Sequence, residues 1–120
     1  MSRVRFIEHR GVPILYLDFS EVQNPEEGLA AINEAKGVIR EQPPGSVRTL
    51  TNVTGSRFDS RLLSALKALA VHNKPYVRAG AVVGVTGLLR IAYNAVMTFS
   101  GRNLPVFDDV ESARDWLARQ

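Results

Sequence analysis

The sequence predicts an α/β fold with a mostly parallel central sheet, and three observations carry that prediction. Short β-rich runs alternate with helical repeats in the order β-β-α-β-α-β-α-β-α, and parallel neighbours need the crossover that a helix supplies. Glycine and proline punctuate short elements, and no internal repeat, low-complexity tract or linker interrupts them. The 120 residues are 45% hydrophobic and contain no cysteine. One domain over residues 1–120 can therefore bury a core without disulfides, and thiolate zinc or iron–sulfur ligation is excluded.

The first two elements form an opening pair. Val4 and Phe6 alternate with Arg3 and Arg5, the pattern of a half-exposed strand. With one ionic face it suits an edge, and the turn His9-Arg10-Gly11 lets it run antiparallel to the next strand. That second strand, Pro13 to Phe19, is a dense apolar run suited to burial on both faces. Four helices follow. Asn24 caps the first, with Pro25, Glu26 and Glu27 in its first turn and Pro43-Pro44-Gly45 beyond its end. Val47 to Val53 is the third strand. Asp59 or Ser60 caps a second helix whose stripe is Leu62, Leu63, Leu66, Leu69 and Ala70, and Asn73-Lys74-Pro75 ends it. Ala79 to Val85 reads as a buried central strand. A third helix runs from Leu88 to Phe99, stopped by Gly101. Leu104 to Phe107 is a short last strand, and Asp108 with Glu111 makes an acidic capping box for a closing helix carrying Ala113, Trp116 and Leu117.

Charge is unevenly spread. Residues 1–47 carry five basic and seven acidic groups, and residues 103–120 carry two and four. Residues 48–102 carry eight basic groups against the single acid Asp59. Between Ser60 and Phe107 there is no carboxylate. Two readings stand: the segment attracts an anionic partner, or its arginines pair with the acidic first helix across the folded surface. Nucleic acid is excluded as a partner class, because the net charge of +3 is modest and no recognition motif or aromatic platform is present.

Catalytic and metal motifs are missing. Gly84-Val85-Thr86-Gly87 stands at a strand-to-helix junction, where backbone amides can meet an anion, but the Gly-Lys-Ser/Thr ending of a phosphate loop is absent. His9 and His72 lie in different turns, with no carboxylate at a recognised ligand spacing and no recognisable acid to orient either ring. No serine sits in a glycine-flanked elbow. The expectation is a protein with no cofactor, no metal and no catalytic residues.

The third helix is the least ordinary element. Arg90, Asn94 and Thr98 make a polar stripe one row wide, so Ile91, Tyr93 or Met97 should project beyond the arc a sheet can cover. The apolar runs are far shorter than the ~20 residues of a membrane span. Met1-Ser2-Arg3-Val4-Arg5 lacks a signal peptide's apolar stretch. A cytoplasmic protein that spans no membrane is expected.

The order of elements resembles the STAS domain, the fold of bacterial anti-sigma-factor antagonists of the SpoIIAA type, and in particular short SpoIIAA-like proteins. The resemblance covers nearly the whole chain. Its more specific pieces are Ile14 to Ser20, Ala81 to Leu88, Ser100 to Asp109, and Ala113 to Leu117. It implies a non-enzymatic regulatory module. In the antagonist family an Asp-Ser-Ser-Gly motif opens the second helix, and its second serine is phosphorylated. Here the stretch is Asp59-Ser60-Arg61-Leu62, with Arg61 in the place of the phosphorylated serine and Leu62 in that of the glycine. Only Ser60 remains as a phosphorylation candidate, at a helix start beside Arg57 and Arg61.

Two functions follow as expectations. The first is a protein-binding module whose contact surface combines Asp18, Ser20, Asn52, Thr54, Arg57, Asp59 and Ser60 with Thr86 and Gly87, all beyond strand C-termini where open sheets tend to place their sites. The alternative is a small lipid-like or anionic ligand held in a pocket between the second and third helices. Ile91, Tyr93 and Met97 would then form its greasy wall, and Arg57, Arg61 or Arg90 would contact its anion. A homodimer through the third helix or the first edge strand is a further expectation.

Overall fold

The structure, a computed structural model, describes residues 2–120. Strands β1 (Val4–His9) and β2 (Val12–Asp18) form a hairpin, followed by α1 (Pro25–Arg40), β3 (Val47–Asn52), α2 (Ser60–Asn73), β4 (Val77–Val83), α3 (Leu88–Ser100), β5 (Val106–Phe107) and α4 (Val110–Ala118). The order of elements is the one the sequence predicts. The strands lie β1-β2-β3-β4-β5 across one sheet, with β1 antiparallel to β2 and the rest parallel.

That sequential order decides where the helices go. Each step from β2 to β5 moves the same way across the sheet, and crossovers between parallel strands are right-handed. All three crossover helices must therefore lie on one face. They do: α1 packs on α2 and α2 on α3, over a core that includes Leu15, Leu17, Phe19, Ile32, Leu62 and Leu69. Only α4, which follows the last strand, is free to cover the other face. It packs Ala113 and Leu117 onto Ile14, Leu50, Ala81 and Val83. The strand order never reverses, so the crevice that such a reversal opens in doubly wound sheets does not form.

Several boundaries differ from the sequence reading. His9 is the last residue of β1, and the turn is Arg10-Gly11, both with positive φ (55° and 78°), as a two-residue hairpin of primed type requires. The fourth strand starts at Val77, because Val47 pairs with Val77 across an irregularity that shifts the register. It ends at Val83, and β5 keeps only two residues. Asp59, not Ser60, caps α2, its carboxylate accepting the Leu62 amide at 2.8 Å. Asp109, not Asp108, caps α4, accepting the Ser112 amide at 2.7 Å.

Candidate functional site

Parallel pairing brings the loops after β2, β3 and β4 to one edge. The amide of Phe19 donates to the Asn52 carbonyl at 2.8 Å, and that of Glu21 to Thr54 at 2.9 Å. At Gly84 φ is +89°, and a Cβ built there would stand 2.7 Å from the Thr54 backbone, so only glycine fits. Asp18, Ser20, Asn52, Thr54, Thr86 and Gly87 thus share this edge with Arg57, Asp59 and Ser60 at the start of α2.

Most of the polar side chains here shape their own turns. Asp18 accepts from the Ser20 amide at 3.1 Å and from the Ser20 hydroxyl. Asn52 does the same for Thr54, at 3.1 and 2.7 Å, while its amide donates to the Tyr16 hydroxyl at 3.0 Å. Thr54, Arg57, Asp59, Ser60, Thr86 and Gly87 are the exposed members. Ser60 is the first residue of α2. Arg61 is also exposed and pairs with Glu26 at 3.0 Å, and Glu26, held by a backbone hydrogen bond and by Arg61, has its pKa lowered.

That ion pair is the single case, among the described residues, in which the basic middle segment meets the acidic first helix. The other arginines go elsewhere. Arg48 and Arg78 both donate to the Gln120 carbonyl, at 2.8 and 3.0 Å. Arg90 is exposed and reaches the Val85 carbonyl at 3.3 Å.

A cavity of about 120 Å³ lies between the sheet and helices α2 and α3. Its floor includes Leu17, Thr51 and Val82, and its walls include Leu66, Leu69, Ala92 and Val96. Tyr93 and Met97 face this cavity, so of the three residues offered as projecting past the sheet these two do not. Both are fastened to the chain that follows α3: the Tyr93 hydroxyl donates to the Leu104 carbonyl, and the Met97 sulfur accepts the Leu104 amide at 3.4 Å. Burial pushes the Tyr93 phenol up. Ile91, 65% exposed, does point outward, together with Leu88 and Phe99. Of the three arginines expected at a ligand, Arg57 borders the cavity, whereas Arg61 and Arg90 do not. Arg102 does border it. Half-buried there, it is held below its ordinary pKa by desolvation yet remains charged at neutral pH.

The opposite sheet edge holds a second polar cluster. His9 Nε2 lies 2.7 Å from an Asp115 oxygen, and Arg10 reaches the same oxygen at 3.3 Å. His9 therefore has an acid partner, contrary to the sequence reading, from a residue that no local spacing could have supplied. Ligand atoms of His9, Glu111 and Asp115 fall within 4.8 Å of one another. Arg10 on Asp115 and Arg114 on Glu111 already balance both carboxylates, which leaves little charge to hold a metal ion. The hydrogen bond from His9 lowers the Asp115 pKa.

Among solved structures the chain is similar to an anti-sigma-factor antagonist (STAS) domain protein from Planctomyces limnophilus, with a TM-score of 0.57 over 96% of this chain and 97% of that one. The fold is that of a STAS domain. Sequence identity over the match is 14%, so the likeness is one of architecture. No family model and no curated protein matches the chain. Among the described residues, no helix of this STAS fold is long and apolar enough to cross a membrane.

Proposed function

We propose that the protein is a non-catalytic regulatory module that works by binding another protein at the loop edge beyond β2, β3 and β4. The observation behind this reading is the convergence of three rigid turns with the start of α2. There Thr54, Arg57, Ser60 and Thr86 stand exposed on a backbone that Asp18, Asn52 and Asp59 hold in place. Function placed on loops over a fixed scaffold is the common arrangement. The neighbouring STAS protein, described as an anti-sigma-factor antagonist, supports the same class of role. Catalysis finds little support at this edge. Asp18 accepts the Ser20 hydroxyl, but among the described residues no histidine bonds either, and the nearest approach to an acid–histidine pair, Asp115 with His9, lies at the other end of the strands.

Site-specific photo-crosslinking in the native cell tests this reading. A photoreactive residue at position 54 or 60 should give a discrete covalent adduct with another protein. The same residue at Asn33, exposed on α1, should give none. Equal labelling from Asn33, or no adduct from either loop position, would rule the surface out.

A further inference from the structure

Arg102 is the feature of this fold that protein docking at the loop edge leaves unused. It follows Gly101, whose left-handed φ of 70° ends α3, and its side chain turns inward. One guanidinium nitrogen donates to the Ala70 carbonyl in the last turn of α2 at 3.4 Å, a long bond. Among the described residues, no carboxylate lies within 4 Å of it. A second cation, Lys74, just past the end of α2, reaches the Ser100 carbonyl at the end of α3, also at 3.4 Å. Each helix C-terminus is equivalent to roughly half a negative charge. Two cations against two helix ends therefore leave about one positive charge unbalanced at the edge of an apolar cavity.

The cavity itself argues for a body attached to that counter-charge. Its lining is overwhelmingly apolar, from Leu17, Leu66, Leu69, Val82, Ala92 and Val96. Its volume of about 120 Å³ approaches the ~150 Å³ of an engineered apolar cavity that admits benzene. The Tyr93 hydroxyl is committed to Leu104. Of the two arginines that border the cavity Arg57 is exposed whereas Arg102 is half-buried, so Arg102 brings the desolvated donor set: five N–H bonds in a planar fork matched to a carboxylate. The loop that carries it is fixed. The Arg102 amide donates to Ser100 Oγ at 3.3 Å, and Leu104 is held by Tyr93 and Met97.

From these features we infer that the space between the sheet and helices α2 and α3 is a binding site for a small amphipathic carboxylate, its hydrocarbon body in the cavity and its carboxylate on Arg102. The ligand class is a short- or medium-chain acyl carboxylate. Arg102 selects it by charge and fork geometry, and the apolar walls reject fully hydrated anions.

Octanoate, 1-octanol and octylammonium, which share one tail and differ in the head group, test this in amide-resolved NMR titrations of the full chain. Octanoate should bind at least tenfold more tightly than either of the others, with shifts centred on Ala92, Val96 and Arg102. In R102M octanoate should fall to the affinity of octanol, and R102K should recover part of the loss. Equal affinity for octanoate and octanol in the unaltered protein would overturn the assignment, even if R102M failed to fold. So would tighter binding of octylammonium, shifts confined to α4, or no saturable binding of octanoate at millimolar concentration.

Discussion

The two faces of this sheet are built from the same strands and finished differently. Beneath α4, Ile14, Leu50 and Ala81 are all 0% exposed, as are Ala113 and Leu117 of the 9-residue helix that covers them. Beneath α2 and α3 the strands present Thr49, Thr51 and Val82 to a space that the two helices do not fill. The contrast follows from topology. Three crossover helices forced onto one face must share it side by side, and the gap between the second and third falls above β3 and β4. A lone helix on the other face has no neighbour to accommodate and can settle fully onto the strands. Under-packing of this kind lowers stability, and a ligand that fills it can restore stability by binding the folded state alone.

The sharpest way to break the comparison is to add the same atoms to each face. Ala113→Leu forces a larger side chain into a filled layer and should cost about 2 kcal/mol. Ala92→Leu points the same increment into the cavity and should leave stability unchanged or raise it by up to about 1 kcal/mol. Urea unfolding of both variants reads the difference. Two equal losses would mean that the α2–α3 gap is as filled as the α4 layer.

A smaller effect belongs to the α4 face alone. The His9–Asp115 pair ties the β1–β2 hairpin to α4, and Asp115 has a pKa lowered from 3.8. A carboxylate whose folded pKa is depressed contributes stability that is present above its unfolded value and is lost as pH falls through the folded one. Asp115→Asn should therefore reduce stability at neutral pH by a small amount and flatten the acid limb below about pH 4. Denaturation midpoints measured from pH 7 down to pH 2 check this. An acid limb as steep as that of the unaltered protein would mean the pair contributes nothing.

Much of the architecture was legible because local signals agreed with the tertiary outcome. Asn24 accepts the Glu27 amide at 2.9 Å, as a cap should, Pro25 opens α1, and Gly101 closes α3 in the left-handed conformation. Where two local signals competed, the sequence misled. Asp108 with Glu111 matched the capping-box spacing, yet Asp109 has the extended backbone, φ −145° and ψ 162°, that a cap needs. Which of Ile91, Tyr93 and Met97 projects stayed open in the sequence for another reason. An apolar arc wider than a sheet needs does not say which edge of the arc turns inward, and the bonds to Leu104 decide it. Arg102 was missed altogether, since an arginine after a glycine stop reads as solvated. Its one trace in the sequence is the stretch from Ser60 to Phe107 without a carboxylate, which guarantees that no nearby residue in the chain neutralises it.

Xenon uptake tests the asymmetry of the two faces most directly. Apolar cavities take up xenon, so a crystal of the protein under xenon pressure should show the atom bounded by Leu66, Ala92 and Val96, and none beneath α4. An empty α2–α3 space under xenon, or an atom seated between Leu117 and Leu50, would contradict the account.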